Sequence, residues 1–165
     1  MYHQLEQVKG KGFSGFKTVA QLWQDHSVLT KDPGVYLILH PDCSKNQLIP
    51  KGPGGFFKQR NPNVDITKLS ARWISNCHLL YIGQAGAGVN STATLNSRLK
   101  QYLDFGKGLP VGHYGGRYIW QLKHHPELLV TWKATPNLNP RTEEKRLIAE
   151  FEQFYGKLPF ANINH

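Results

Sequence analysis

The chain has 165 residues, enough for one domain with one core, and an apolar content of 39% that can fill it. Lys and Arg number 20 against 11 Asp and Glu, a formal charge of +9 that favours a polyanion such as nucleic acid as partner. The longest unbroken apolar run, Val35 to Leu39, falls far short of the roughly 18 residues of a membrane span, and the amino terminus lacks a charged-then-apolar leader, so a cytoplasmic, membrane-free protein is expected.

Residues 1–16, with "KGKGFSGFK", read as a basic arm, and "TVAQLW" at 18–23 has the apolar spacing of one short helix, broken by "DPG". "GVYLILH" from Gly34 is a strand closed by Pro41. Residues 41–63 carry four prolines, three glycines and four Lys or Arg and read as loops, after which 64–74 returns to helical spacing through Val64, Leu69, Trp73 and Ile74. "HLLYIG" is a second strand. Leu95, Leu99 and Tyr102 or Leu103 then mark a helix that Gly106 is placed to cap. "GRYIWQL" and "LLVTWKAT" are strand candidates, the first open to a helical reading. Asn139-Pro140 starts a last helix, with Leu147, Phe151 and Phe154 as its buried stripe. The order is strand, insertion, strand, helix, strand, helix: one small α+β domain, with residues 1–30 an arm and short helix and 41–75 an insertion.

The two cysteines, Cys43 and Cys77, are too few for a disulfide framework and read as reduced thiols. With His40 and His78 they are the residue types of a zinc site, but neither pair has zinc-knuckle spacing, so buried residues near strand ends are the preferred reading. On the last helix Glu150 lies about 60° from Leu147, at the rim of the buried face, with Glu143 nearly on the same line. A carboxylate there can hold a hard divalent cation in a cleft. Arg98 and Tyr102, four residues apart, share one helix face, from which an arginine can hold a phosphate or stabilise a pentavalent transition state.

"GVY" at 34–36 and "YIG" at 81–83 resemble the two signature strands of the GIY-YIG nuclease superfamily. "YIGQA" is followed by a helix with "RLKQY", similar to the arginine-then-tyrosine pair of the excision-repair incision members, and "TEEKRLIAEFEQFYGKLPFAN" is similar to their closing segment. On that register Glu150 matches the metal-binding glutamate and Asn162 the asparagine after it. Two departures stand out. The signature strands are separated by 44 residues rather than a short hairpin, and Gln84 stands where the incision members have lysine.

The resemblance implies a small three-stranded mixed or antiparallel sheet flanked by helices, and a Mg²⁺- or Mn²⁺-dependent endonuclease acting on DNA with one metal per active site, held by Glu150. Tyr36 would activate water, Tyr81 would position water or phosphate, Arg98 would stabilise developing charge, and Tyr102 would support that contact. His113, in "GHYGGR", is the rival base or else a loop histidine. The glycines after Tyr81 would let phosphate and backbone approach closely; they do not form a Walker loop, since the Gly-Lys-Ser/Thr ending is missing. Lys51, Lys58, Arg60, Arg72, His113, Arg117 and Asn162 are expected on the nucleic-acid surface, the insertion residues adding to it together with Lys45 and Lys68. A monomer or homodimer is expected. A non-cleaving nucleic-acid-binding module is the alternative. A third class, an interaction protein using Trp73, Trp120 and Trp132 as contacts, is weaker because core is the better reading of those tryptophans.

Overall fold

A computed structural model describes residues 4–164; the first three residues of the expected arm and His165 lie outside it. The described residues form an α+β domain with five α-helices and one four-stranded sheet. In order these are α1 (Leu5–Lys9), β1 (Ser14–Thr18), α2 (Val19–Gln24), β2 (Gly34–Leu39), α3 (Ile66–Arg72), β3 (Leu79–Ala85), α4 (Leu95–Gly106), β4 (Leu129–Ala134) and α5 (Pro140–Tyr155). The sheet order is β1-β4-β2-β3 and every neighbouring pair is antiparallel. No helix among the described residues is long and apolar enough to cross a membrane.

The fourth strand is a correction to the expected three. β1 begins inside the stretch read as a basic arm, residues 1–16, and runs on to Thr18; glycine and lysine hide the strand pattern there. Gly15 serves there because the Trp132 indole lies across it: a Cβ would stand 2.3 Å from the ring, and φ is +96°. "GRYIWQL" is not a strand but a 3₁₀ turn, Arg117–Gln121. The insertion is mostly loop, as read, with a 3₁₀ turn at Phe57–Gln59 and α3 within the expected helix.

Every residue of β2 is buried, because the strand is covered on both faces. Alternation sends Tyr36 and Ile38 to one face, with Tyr81, Val130 and Trp132, and sends Val35, Leu37 and Leu39 to the other. The second face packs under α5 through Leu147, Ile148 and Phe151. Ile148 replaces Phe154, expected in that stripe but 53% exposed. A register shift between Ile38 and Leu39 puts both Leu80 and Tyr81 into the first cluster, a local re-aiming of the kind that bulges provide near sites.

Side-chain caps set the helix starts. Thr18 with Gln21 and Thr94 with Ser97 form capping boxes for α2 and α4, and Asn139 caps α5 with Pro140 in its first turn. Gly106 is not the cap of α4. It is the buried last helical residue, and a Cβ would lie 2.4 Å from the Trp120 ring. Trp120 and Trp132 are core, and Trp73 packs partly buried against it.

Candidate active site and nucleic-acid face

The β2–β3 register sets Tyr36 opposite Gly83, and the Tyr36 ring lies over that glycine: a Cβ there would be 2.3 Å from Cζ. Tyr81 lies edge-on to Tyr36 with ring centres 6.0 Å apart, and Tyr102, from α4, is 5.6 Å from Tyr81 and 6.2 Å from Tyr36. The Tyr102 hydroxyl donates to the Gly116 carbonyl at 2.5 Å, which holds the 112–116 loop in place. Gly116 has φ of +72°, and a Cβ would strike both Tyr102 and Tyr81.

That loop carries His113 into the cluster. The ring is buried, stacks on Tyr102 at 4.3 Å and sets Nε2 3.4 Å from the Tyr36 hydroxyl, while Nδ1 has no hydrogen-bond partner among the described residues. The loop-histidine alternative therefore gives way to a residue built into the tyrosine cluster. Burial, reinforced by Arg98, pushes the imidazole pKa well below its usual range and keeps it neutral. Burial also pushes Tyr36 and Tyr102 well above the usual phenol value, and Tyr81 to about 12.

Two charged groups face these rings. Arg98 projects from α4, donating to Gln101 at 3.0 Å and to the Gly112 carbonyl at 3.5 Å, and its charge acts on Tyr36, Tyr81 and His113. The second is Glu144. Its carboxyl is half-buried, its pKa is raised by that burial against the opposing pull of Arg141, Arg98 and Lys145, and its charge acts on both Tyr81 and Tyr36.

Glu150 is not brought to the cluster. It is paired with Arg146 at 3.1 Å, as is Glu143 at 2.8 Å, on the flank of α5 away from Glu144. The reason is rotational. The buried stripe includes Ile148 and so centres to one side of Leu147, where Glu144 falls at about +60°; Glu150 falls at about −60° and roughly 9 Å further along the axis. Adding Ile148 to the apolar stripe was the signal that could have selected Glu144 from sequence.

An open cleft of ≈ 990 Å³ lies along the 86–93 loop and α4, lined by Gln84, Lys100 and Arg141 among others; of the residues at the ring cluster, Arg98 lines it. The Oε1 of Gln84 is buried without a hydrogen-bond partner among the described residues. No group of three or more His, Cys, Asp or Glu is gathered for a metal among the described residues. Glu144 offers one half-buried carboxylate, and a Mg²⁺-type ion held by a single carboxylate completes its shell with water and phosphate oxygens.

Of the residues expected on the nucleic-acid surface, Lys51, Lys58 and Arg60 are exposed on the insertion. Arg117 stacks over the Tyr114 ring at 3.9 Å, with Arg60 on the same ring at 5.6 Å. Arg72 and Asn162 are corrected. The Arg72 guanidinium turns inward to the carbonyls of Pro159, Phe160 and Asn162. The Asn162 carboxamide is buried and clamps both backbone groups of Ile82 at 2.9 Å, extending the β3 edge. Both are structural because a chain end laid beside an edge strand needs its polar backbone satisfied. His40 is likewise engaged, Nε2 with the Lys45 carbonyl and Nδ1 with the Asp42 amide.

No family model, curated protein or solved structure matches the chain.

Proposed function

We propose that the chain is a metal-dependent endonuclease that hydrolyses DNA phosphodiester bonds in the manner of the GIY-YIG superfamily. One observation carries this: Tyr36, Tyr81 and Tyr102 meet in one buried ring cluster with His113 Nε2 3.4 Å from the Tyr36 hydroxyl, and Arg98, which donates to the neighbouring Gly112 carbonyl, also lines a polar cleft with Lys100 and Arg141. A guanidinium beside buried phenols at a polar cleft suits phosphoryl transfer, where charge develops on non-bridging oxygens.

Glu144, rather than Glu150, would hold the single Mg²⁺ or Mn²⁺, which when bound polarises the scissile phosphate and lowers the pKa of its water. Arg98 meets the phosphoryl oxygens. Tyr36 is a poor base by itself because its burial disfavours the phenolate. Tyr36 and neutral His113, 3.4 Å apart, would act as one proton-relaying pair: as the Tyr36 oxygen takes a proton from the attacking water it passes its own to His113 Nε2, so no free phenolate forms. Tyr81, closer to Glu144 in its electrostatics, orients water or phosphate.

Incubation of the purified protein with supercoiled plasmid, with Mg²⁺ and with chelator, tests the assignment. Mg²⁺-dependent conversion to open circles or linear product is expected, absent in Arg98→Ala. Binding without cleavage would favour the non-cleaving module.

A further inference from the structure

Two segments far apart in sequence form one face. Residues 43–64 carry Lys45, Lys51, Lys58 and Arg60, residues 105–126 carry Lys107, Arg117 and Lys123, and neither contains an Asp or Glu. They are stitched together by backbone pairs, Lys123 N–H to Gln47, Ile49 N–H to Gln121 and Gly55 N–H to Phe105, and by Tyr114, whose hydroxyl donates to the Asn61 carbonyl. The buried Gln121 carboxamide clamps both ends of the loop, donating to Ile49, Pro50 and Val64 carbonyls and accepting from the Val64 amide.

The loop so held is rigid, yet it presents an aromatic ring outward. Gly55 is packed so tightly that a Cβ would stand 2.0 Å from the Leu109 carbonyl. Phe57 turns inward against Gly112, the residue whose carbonyl receives Arg98. Phe56 turns outward and is 49% exposed. Lys58 and Gln59 follow in left-handed backbone, φ 50° and 61°, a conformation costly for non-glycine residues and retained at functional positions. An exposed apolar ring on a strained, anchored loop ringed by cations is what a groove-entering wedge requires.

We propose that the 50–60 loop is a duplex-distorting element, in which Phe56 inserts at a base step while Lys51, Lys58 and Arg60 hold the flanking phosphates. It rests on the nuclease reading and adds the way the substrate is deformed. Phe57, the next residue, touches Gly112, whose carbonyl receives Arg98, so the loop that carries the wedge is anchored at the Arg98 end of the site. A second copy of the chain is disfavoured as occupant because cations outnumber carboxylates on this face, where Glu127 pairs with Lys45 at 3.0 Å, and two such faces repel; a polyanion is the complement.

The test measures duplex binding in chelator, so that cleavage does not consume the DNA, with 2-aminopurine at successive positions as the unstacking probe. Wild type should raise the fluorescence at one step, and Phe56→Ala should abolish that rise and lose about five- to hundredfold in affinity, the range of one base stacked on an aromatic ring. Phe56→Trp should restore both. A mismatch at that step, where unstacking costs less, should recover most of the Phe56→Ala loss. Equal affinity and fluorescence for wild type and Phe56→Ala would overturn the wedge while leaving the nuclease reading intact. Loss of a wild-type dimer in Phe56→Ala with unchanged DNA affinity would also overturn it, assigning the face to a second copy. No duplex binding by wild type would overturn both.

Discussion

Replacing Glu144 by glutamine keeps the shape of the side chain and removes its charge. A bound divalent ion supplies on the order of several kcal/mol of transition-state charge stabilisation, and each ~1.4 kcal/mol is a factor of ten, so single-turnover cleavage should fall by about 10²- to 10⁴-fold. Stability should not fall with it. Burial raises the Glu144 pKa, which means the folded state disfavours the carboxylate, and a neutral isostere relieves that cost. The melting temperature at pH 7 should therefore be unchanged or slightly higher. Glu150→Gln is the matched comparison. It removes only a surface pair with Arg146 at 3.1 Å, worth about 0.3–0.5 kcal/mol, and should cut at the wild-type rate. Single-turnover cleavage of saturating duplex with Mg²⁺, alongside thermal melting, reads both variants. Loss of activity in Glu150→Gln with normal activity in Glu144→Gln would refute the assignment.

If Tyr36 and His113 act as one unit, Tyr36→Phe and His113→Asn should each slow single-turnover cleavage by about 10²- to 10⁴-fold, and the double variant should be little slower than either; additive losses would separate them. His113, His40 and His125 are held neutral by burial, their folded pKa lying below the unfolded value near 6.5, so as pH falls through 6.5 the unfolded chain takes up protons that the folded chain does not. Urea unfolding should thus show stability falling below pH 6.5 at up to about 1.4 kcal/mol per pH unit for each histidine, with a shallower fall in His113→Asn; a flat profile from pH 7 to 5 would contradict this. Neutralising Lys51, Lys58 and Arg60 together should flatten the plot of log affinity against log salt by about 0.9 for each phosphate they no longer neutralise, whereas Arg72→Met should leave that slope unchanged and lower the urea midpoint.

The strands carrying Tyr36 and Tyr81 and the helices α4 and α5 were legible because each has a local signature: an apolar run, a capping pair, a repeat every three or four residues. The meeting of Tyr36, Tyr81, Arg98 and Tyr102 was implied by the family resemblance rather than by the spacing of those elements. What failed depended on longer range. β1 exists because Gly15 lets Trp132 lie across it, a contact with a residue more than 100 positions away that a glycine- and lysine-rich stretch does not announce. Arg72 and Asn162 look like surface polar residues until the chain end is laid beside β3, which gives both of them backbone partners. The proposal of Glu144 in place of the expected Glu150 turns on one apolar residue, Ile148, which rotates the buried face of α5 toward Glu144. His113 needed the fold itself, since long-range contacts such as Tyr102 to Gly116 and Arg98 to Gly112 carry its loop over Tyr36.

Hydrolysis is tested most directly by the origin of the new phosphate oxygen. A defined duplex is cleaved under single-turnover conditions in water enriched in ¹⁸O, with Mg²⁺, and the product ends are examined by mass spectrometry. The account predicts one ¹⁸O on the terminal phosphate of each cut strand with wild-type protein, and no labelled product with chelator or with Glu144→Gln. Intact duplex with folded wild type that binds it, or labelled product formed equally by Glu144→Gln, would contradict it.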